Sequence, residues 1–148
     1  MTIKLTRAGD SGFHLDAQNE GGLSVSFDNV SGSSSPKGVS PMESVLMAVA
    51  GCSSIDIIDI LEKGRLTLDH YNVEVTGTRR DEVPRVFTAI DVHVITQGDF
   101  PSDRVERAVK LSLERYCSVS IMLQSTVTFS ARGTHNGASY PITLELKA

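Results

Sequence analysis

Apolar and polar residues alternate in three short segments at the start of the chain. The segments are Thr2 to Arg7, Phe13 to Ala17 and Leu23 to Phe27. A period of two is typical of a β-strand with one covered face, and turn-forming residues separate the three segments. The pattern therefore predicts a meander of three short strands, followed by a Gly-, Ser- and Pro-rich loop from residue 31 to residue 40.

A helix is predicted to begin at Ser40, which is the clearest local signal in the chain. The Ser40 hydroxyl can accept from the amide of Glu43, and the Glu43 carboxylate can accept from the amide of Ser40. Pro41 occupies the first helical position, where its missing N–H costs nothing. The helix should run to about Lys63, with Gly64 as its C-terminal stop. From Val45 to Ala50 it is apolar on all sides, which predicts a helix buried on most faces at the centre of the fold.

Two longer alternating segments follow, from His70 to Arg79 and from Phe87 to Thr96. The charged and Pro-containing residues between them predict a long loop, so the two segments should form an antiparallel hairpin. One face of the second strand is expected to carry Val86, Thr88, Ile90, Val92 and Val94.

A second, amphipathic helix is predicted to begin with Ser102 as its cap and to end near Cys117. Its inner stripe is expected to contain Val105, Ala108, Val109, Ser112, Leu113 and Tyr116. Ser118 is expected to cap a short third helical segment, and two strands, over residues 125–131 and 139–147, complete the chain. With no internal repeat and no linker, this order of elements predicts one α+β domain over residues 1–148.

The composition narrows the classes of protein to which the chain can belong. Apolar residues make up 40% of the chain and charged residues 22%, which is typical of a globular protein. The formal net charge of −4, without a basic segment, argues against a nucleic-acid partner. No export signal precedes the first strand, and no apolar run approaches the ~20 residues of a membrane span. We therefore expect a cytoplasmic protein with neither a nucleic-acid nor a membrane partner.

The chain has two cysteines, Cys52 in the predicted central helix and Cys117 at the end of the amphipathic helix. Cytoplasmic thiols are reduced at rest, so a disulfide between them would be transient rather than structural. A thiolate can attack a peroxide, and a second thiol within reach can convert the resulting sulfenic acid to a disulfide. Free cysteine is also among the most buried residue types, so the residues alone leave open that both are inert.

Three segments of the chain resemble the OsmC/Ohr family, the osmotically inducible and organic-hydroperoxide-resistance proteins. They are Ser-Pro-Met-Glu at 40–43, Ala-Gly-Cys at 50–52 and Tyr-Cys-Ser-Val at 116–119, in that order. The Ser-Ser-Ile-Asp sequence that follows Cys52 is most similar to the YhfA-like branch of the family. With the flanking strands, the resemblance covers nearly the whole chain.

The resemblance implies an OsmC-like α+β fold, with curled antiparallel sheets around a long central helix in an intertwined homodimer. It also implies two active sites at the subunit interface and a role in the oxidative stress response. By the same resemblance, Cys52 is the peroxidatic residue that attacks an organic hydroperoxide, and Cys117 resolves it as a disulfide. A dithiol such as a lipoyl group, or another thiol, then reduces the disulfide, so the implied enzyme is a thiol-dependent peroxidase without a cofactor.

The chain departs from the best-studied peroxidases of the family at two places. Those enzymes have a glutamate directly after the proline, whereas here Met42 follows Pro41 and Glu43 comes one residue later. A shift of one residue turns a side chain by about 100° around a helix, which can point Glu43 away from the thiol. Glu43 is therefore a candidate both for catalysis and for a cap that only stabilises the helix. The family's N-terminal arginine segment is missing, since Arg7 is the only arginine before Cys52. These departures favour a rival interpretation, a non-catalytic small-ligand-binding protein on the same scaffold.

A thiolate at Cys52 needs a nearby cation, because this residue lies in mid-helix, far from the positive end of the helix dipole. Arg85 is the preferred candidate, since it follows a proline at the entrance to a strand. The alternatives are Arg7, Arg79 and Arg80. Cys117, at the start of the short third helical segment, is expected to gain from amide dipoles instead.

The candidate substrate-binding residues are apolar: Met42, Met122 and Phe87. An apolar wall gains from burying hydrocarbon and would favour an alkyl hydroperoxide over hydrogen peroxide. The four histidines show no metal-ligand spacing, so no metal site is expected. Asp56 and Asp59 are expected at the exposed edge of the helix rather than in the site.

Overall fold

The computed structural model describes residues 1–9, 12–29 and 35–146. They fall into two compact units, residues 1–45 and residues 46–148. The first part of the predicted Gly/Ser/Pro-rich loop, residues 31–34, and the predicted end of the last strand at Lys147 lie outside the described residues.

The first unit contains three short strands, β1 (Ile3–Arg7), β2 (Leu15–Asn19) and β3 (Ser24–Phe27). Each pairs antiparallel with the next in the order β1-β2-β3, so the predicted meander is confirmed. Large apolar side chains of this sheet and its turns remain more than half exposed in the single chain: Ile3, Leu5, Phe13 and Leu23.

Helix α1 (Pro41–Lys63) begins as predicted. The Ser40 amide donates to Glu43 Oε2 at 2.7 Å, and the Glu43 amide donates to Ser40 Oγ at 3.2 Å, which completes the capping box. At the other end Gly64 follows the last helical residue, but the left-handed residue is Arg65, with φ 59°. The Leu66 amide donates to the Leu61 carbonyl there, in a Schellman arrangement.

Only one stripe of α1 is buried in the single chain. It consists of residues spaced four apart: Val49, Ser53, Ile57 and Leu61. On other faces Met47 is 53% exposed and Ile55 is 72% exposed, so the expected burial on most faces is not found in the chain by itself. The helix also has the length and the mean hydropathy, 1.8, that a membrane span requires, a property that long core helices share.

The second sheet contains β4 (His70–Arg79), β5 (Phe87–Gln97), β6 (Thr128–His135) and β7 (Ala138–Ile142), in that order. The predicted antiparallel hairpin of β4 and β5 is confirmed, and the α+β fold class is confirmed with it. Within this sheet β5 and β6 run parallel, whereas the other neighbouring strands run antiparallel. A parallel pair needs a long crossover, and the helical segment between these two strands supplies it.

A β-bulge turns Phe87 into the sheet's covered face. Arg79 pairs with Phe87 while Thr78 pairs with Ala89, so Thr88 is the extra residue. Phe87 is consequently buried, whereas Val86 and Thr88 are exposed. The prediction that these two residues share a face with the buried Ile90, Val92 and Val94 is therefore wrong. The Phe87 ring packs over Gly77, where any side-chain carbon would collide with it.

The crossover consists of α2 (Ser102–Leu111), a π-helical turn (Ser112–Tyr116) and α3 (Ser118–Leu123). The predicted Ser102 cap is wrong, because Pro101 holds the capping position and no side chain caps the helix. The inner stripe predicted for the second helix is confirmed, over α2 and the start of the π-helical turn, by residues with no exposed surface: Val105, Ala108, Val109, Ser112 and Leu113.

Candidate functional site

Helix α1 brings Cys52 and Asp56 to one face, because residues four apart on a helix are neighbours. Both side chains are partly buried. Their face adjoins the buried stripe, since Ser53 and Ile57 follow each of them by one residue. The helix therefore presents a thiol and a carboxylate side by side at the edge of the core of the second unit.

The π-helical turn brings Cys117 to the same place. The Cys117 amide donates to the Ser112 carbonyl at 2.8 Å, a hydrogen bond that spans five residues instead of four. The extra residue moves Tyr116, predicted for the inner stripe, out to 57% exposure and gives its inward position to Cys117, which is 0% exposed. The prediction for Tyr116 is wrong for this reason, and the same distortion creates the cysteine pair.

The sulfur atoms of Cys52 and Cys117 and a carboxylate oxygen of Asp56 all lie within 4.8 Å of one another. The hypothesis that the two thiols meet is thus confirmed at this distance. A disulfide requires a sulfur–sulfur distance of about 2.0 Å, so rotation about side-chain bonds has to close the remaining gap. Both cysteines are free thiols in the structure.

Cys117 itself is the N-cap of α3, rather than Ser118 as predicted. The Ser120 amide donates to Cys117 Sγ at 3.5 Å. Burial raises the pKa of the Cys117 thiol, hydrogen bonding by Ser120 lowers it, and the neighbouring Cys52 raises it further. The net pKa is above the ordinary value of a thiol, so the expected stabilisation of a Cys117 thiolate by amide dipoles is outweighed by desolvation.

Asp56 was predicted at the exposed edge of the helix, but it is partly buried and lies beside the two cysteines. Its Oδ2 lies 3.1 Å from the hydroxyl of the buried Ser112, which also lies 3.3 Å from the Ser53 carbonyl oxygen. Within the described part of the chain no cation forms an ion pair with Asp56. Asp59, by contrast, is exposed as predicted and pairs with Lys63 at 2.7 Å. The four-residue spacing from Cys52 was the sequence signal that could have identified Asp56.

The hydrogen bonds and ion pairs of the two other predicted polar site residues, Glu43 and Arg85, are made with neighbours along the chain. Glu43 caps α1 and, with the partly buried Met42, belongs to the first unit. Arg85 is exposed, and it contacts its own loop, with Nη2 3.5 Å from Asp81 and Nε donating to the Arg80 carbonyl at 3.3 Å. Their roles in catalysis or binding stay predictions.

Two of the predicted substrate-binding residues belong to the second unit and differ in exposure. Phe87 is buried against the sheet, whereas Met122 on α3 is 70% exposed. An exposed methionine can line a shared cavity only if another chain covers it, and the binding role of both residues stays a prediction.

A profile of the OsmC-like protein family matches residues 32–132 of the chain, a span that contains both cysteines. The protein YhfA of Escherichia coli is 49% identical over 100 residues, which are 67% of this chain and 75% of that protein.

Solved structures agree with the family match. A structure from a structural genomics programme is 38% identical, has a TM-score of 0.80 and covers 91% of this chain and 98% of its own. The organic hydroperoxide resistance protein OsmC of Legionella pneumophila is 15% identical with a TM-score of 0.67, covering 90% of this chain and 97% of its own. At that low identity the Legionella protein shows a common fold alone.

Proposed function

Because the chain belongs to the OsmC-like protein family, we propose that it is a thiol-dependent peroxidase that reduces organic hydroperoxides through Cys52 and Cys117. The observation that carries the proposal is the approach of the two sulfur atoms to within 4.8 Å. The hydroperoxide-resistance function in the name of the Legionella protein is consistent with it.

The difference in burial between the two cysteines supports a division of roles. Cys52 is partly exposed and can meet a substrate, so it is the attacking residue. Its thiolate attacks one peroxide oxygen, the O–O bond breaks, and the alkoxide takes a proton and leaves as the alcohol. Cys52 is then a sulfenic acid.

Cys117 completes the cycle as the resolving residue. Its sulfur displaces the hydroxyl group of the sulfenic acid, which leaves with the Cys117 proton as water, and the disulfide forms. An external dithiol reduces this disulfide and restores both thiols. The raised pKa of Cys117 and its complete burial keep this thiol protonated and shielded from peroxide until Cys52 has reacted.

In this proposal the substrate-binding surface forms between the two subunits of a homodimer, and the cation that activates Cys52 comes from the partner subunit. Apolar side chains within five residues of a cysteine along the chain remain exposed in the single chain: Met47, Ile55, Tyr116, Ile121 and Met122. A second copy would cover them, and exposed apolar surface of this kind is typical of an interface. Arg85 is the proposed cation for the Cys52 thiolate, supplied across that interface, and the reducing cytoplasm is the proposed location.

A second candidate function, ligand binding without turnover, is favoured by Asp56. A carboxylate oxygen lies beside the two sulfurs, whereas the thiolate that peroxide reduction requires is normally stabilised by a neighbouring cation. A protein that holds a small apolar or electrophilic ligand beside Cys52 does not have this requirement.

One assay separates these functions. We would measure the consumption of cumene hydroperoxide and of hydrogen peroxide, with dithiothreitol or dihydrolipoamide as donor, in the wild type and in Cys52→Ser and Cys117→Ser. The peroxidase proposal predicts turnover that is lost in Cys52→Ser and is faster with the organic substrate. Wild-type protein that binds cumyl alcohol but consumes neither peroxide would favour the binding function. A Cys52 thiol that resists alkylation in the native protein would contradict both functions.

A further inference from the structure

We propose that Cys52, Asp56 and Cys117 form a binding site for a thiophilic divalent metal ion, with Zn²⁺ as the expected occupant, in the reduced protein. The three candidate ligands come from two separate parts of the fold, α1 and the end of the π-helical turn. Their ligand atoms all lie within 4.8 Å of one another. The expectation of no metal site came from the lack of ligand spacing among the histidines and of a Cys-x-x-Cys pair, and these three ligands come from segments far apart in the sequence.

The distances suit tetrahedral coordination. With zinc–sulfur bonds of about 2.3 Å and zinc–oxygen bonds of about 2.1 Å, tetrahedral angles place two sulfurs about 3.8 Å apart and a sulfur and an oxygen about 3.6 Å apart. The observed separations reach at most 4.8 Å. Each pair therefore needs to close by about 1 Å at most, which small side-chain rotations achieve, whereas a disulfide needs a larger approach.

Neighbouring groups already orient the ligands. Ser112 Oγ lies 3.1 Å from Asp56 Oδ2 and holds the carboxylate in place. The Ser120 amide donates to Cys117 Sγ at 3.5 Å and stabilises negative charge on that sulfur. Hydrogen bonds of this kind to the ligands are a regular part of metal sites in proteins.

The ligand types select the metal. Two thiolates favour zinc and similar soft ions over Mg²⁺ and Ca²⁺, which prefer oxygen. Three protein ligands leave a fourth tetrahedral position for water, on the side where Cys52 is partly exposed and an ion can enter. Binding converts the two thiols to thiolates and releases their two protons, so no oxidant or reductant is involved.

Metal binding and disulfide formation use the same sulfur atoms and exclude one another. The site does not depend on turnover of peroxide, because it requires only the reduced thiols and the carboxylate. Its test is therefore made on fully reduced protein in the absence of peroxide.

The experiment titrates reduced, metal-free protein with Co²⁺ and then displaces the cobalt with Zn²⁺. We expect the thiolate-to-cobalt charge-transfer band and the intense visible bands of a tetrahedral site, saturating at one ion per chain. Cys52→Ser and Cys117→Ser should each abolish the charge-transfer spectrum of a two-thiolate site. Asp56→Asn should weaken zinc binding at least tenfold, and Ser112→Ala by roughly 10- to 100-fold.

The matched control is Asp59→Asn, which removes a carboxylate from the same helix one turn away, where it pairs with Lys63. Its zinc affinity should equal that of the wild type, and circular dichroism should show the same fold in all variants. An octahedral cobalt spectrum, or zinc binding that is unchanged in Asp56→Asn or in either cysteine variant, would overturn the proposed site.

Discussion

Raising the pH above the ordinary range of a thiol should destabilise the protein through Cys117. This side chain has no exposed surface, and burial is the largest cause of its raised pKa. A thiolate at this position would lose its hydration and gain only the Ser120 hydrogen bonds in return. The folded protein therefore holds the thiol proton more tightly than the unfolded chain does.

The sign and the limit of the effect follow from proton linkage. Below the unfolded pKa both states are protonated, and Cys117 contributes nothing that depends on pH. Above it, the unfolded chain releases the proton first, so stability falls as the pH rises until the folded thiol also ionises. With 9.0 as the ordinary thiol pKa, the loss at pH 10 is at most about 1.4 kcal/mol, reached if the folded thiol stays fully protonated.

The assay is urea unfolding at pH 7 and at pH 10, under a non-thiol reductant and at one protein concentration, for the wild type and Cys117→Ser. Serine does not titrate in this range and can keep the hydrogen bond from the Ser120 amide. Contributions of lysines and tyrosines cancel in the difference between the two proteins. We expect the wild type to lose up to ~1.4 kcal/mol more than the variant. Equal losses would refute the claim that burial holds this thiol protonated.

Three further substitutions test other parts of the structure. Ser40→Ala removes the α1 cap and should lower the free energy of unfolding by about 1 kcal/mol, measured by urea denaturation. Gly77→Ala places a methyl group against the Phe87 ring and should lower the free energy of unfolding by about 1–3 kcal/mol in the same measurement. An unchanged free energy of unfolding would show that the strand or the ring shifts to make room for the methyl group. Arg85→Ala should slow the reaction of Cys52 with cumene hydroperoxide at least tenfold if this arginine is the activating cation, while alanine at the exposed Arg107 should leave the rate unchanged.

The elements that the sequence predicts are those set by local physics. A capping box, a proline at the first helical position and a run of apolar residues define α1, and each acts within a few residues of its own position. Alternation with a period of two likewise identifies five strands. Successive residues of a strand point to opposite faces of the sheet, so a sheet with one buried face has alternating apolar and polar residues. The family resemblance then identifies the two cysteines as a pair.

The features that the sequence does not predict depend on contacts between distant segments. The extra residue at Thr88 and the π-helical turn before Cys117 each shift by one position the pattern of side chains that lie on one face. Nothing in the local pattern requires either shift, and both place a side chain, Phe87 or Cys117, into the core. Asp56 was missed because its neighbour Ser112 lies on another helical element.

The most direct test of the cysteine pair is mass spectrometry of protein treated with one equivalent of cumene hydroperoxide and digested without reduction. The account predicts a linked peptide that joins Cys52 to Cys117 within one chain, since both residues belong to the same compact unit, and reversal of the link by dithiothreitol. It predicts a sulfenic acid at Cys52, trapped by dimedone, when Cys117 is replaced by serine. Recovery of unlinked thiols only, or of a sulfinic acid at Cys52 beside an unchanged Cys117, would contradict the account.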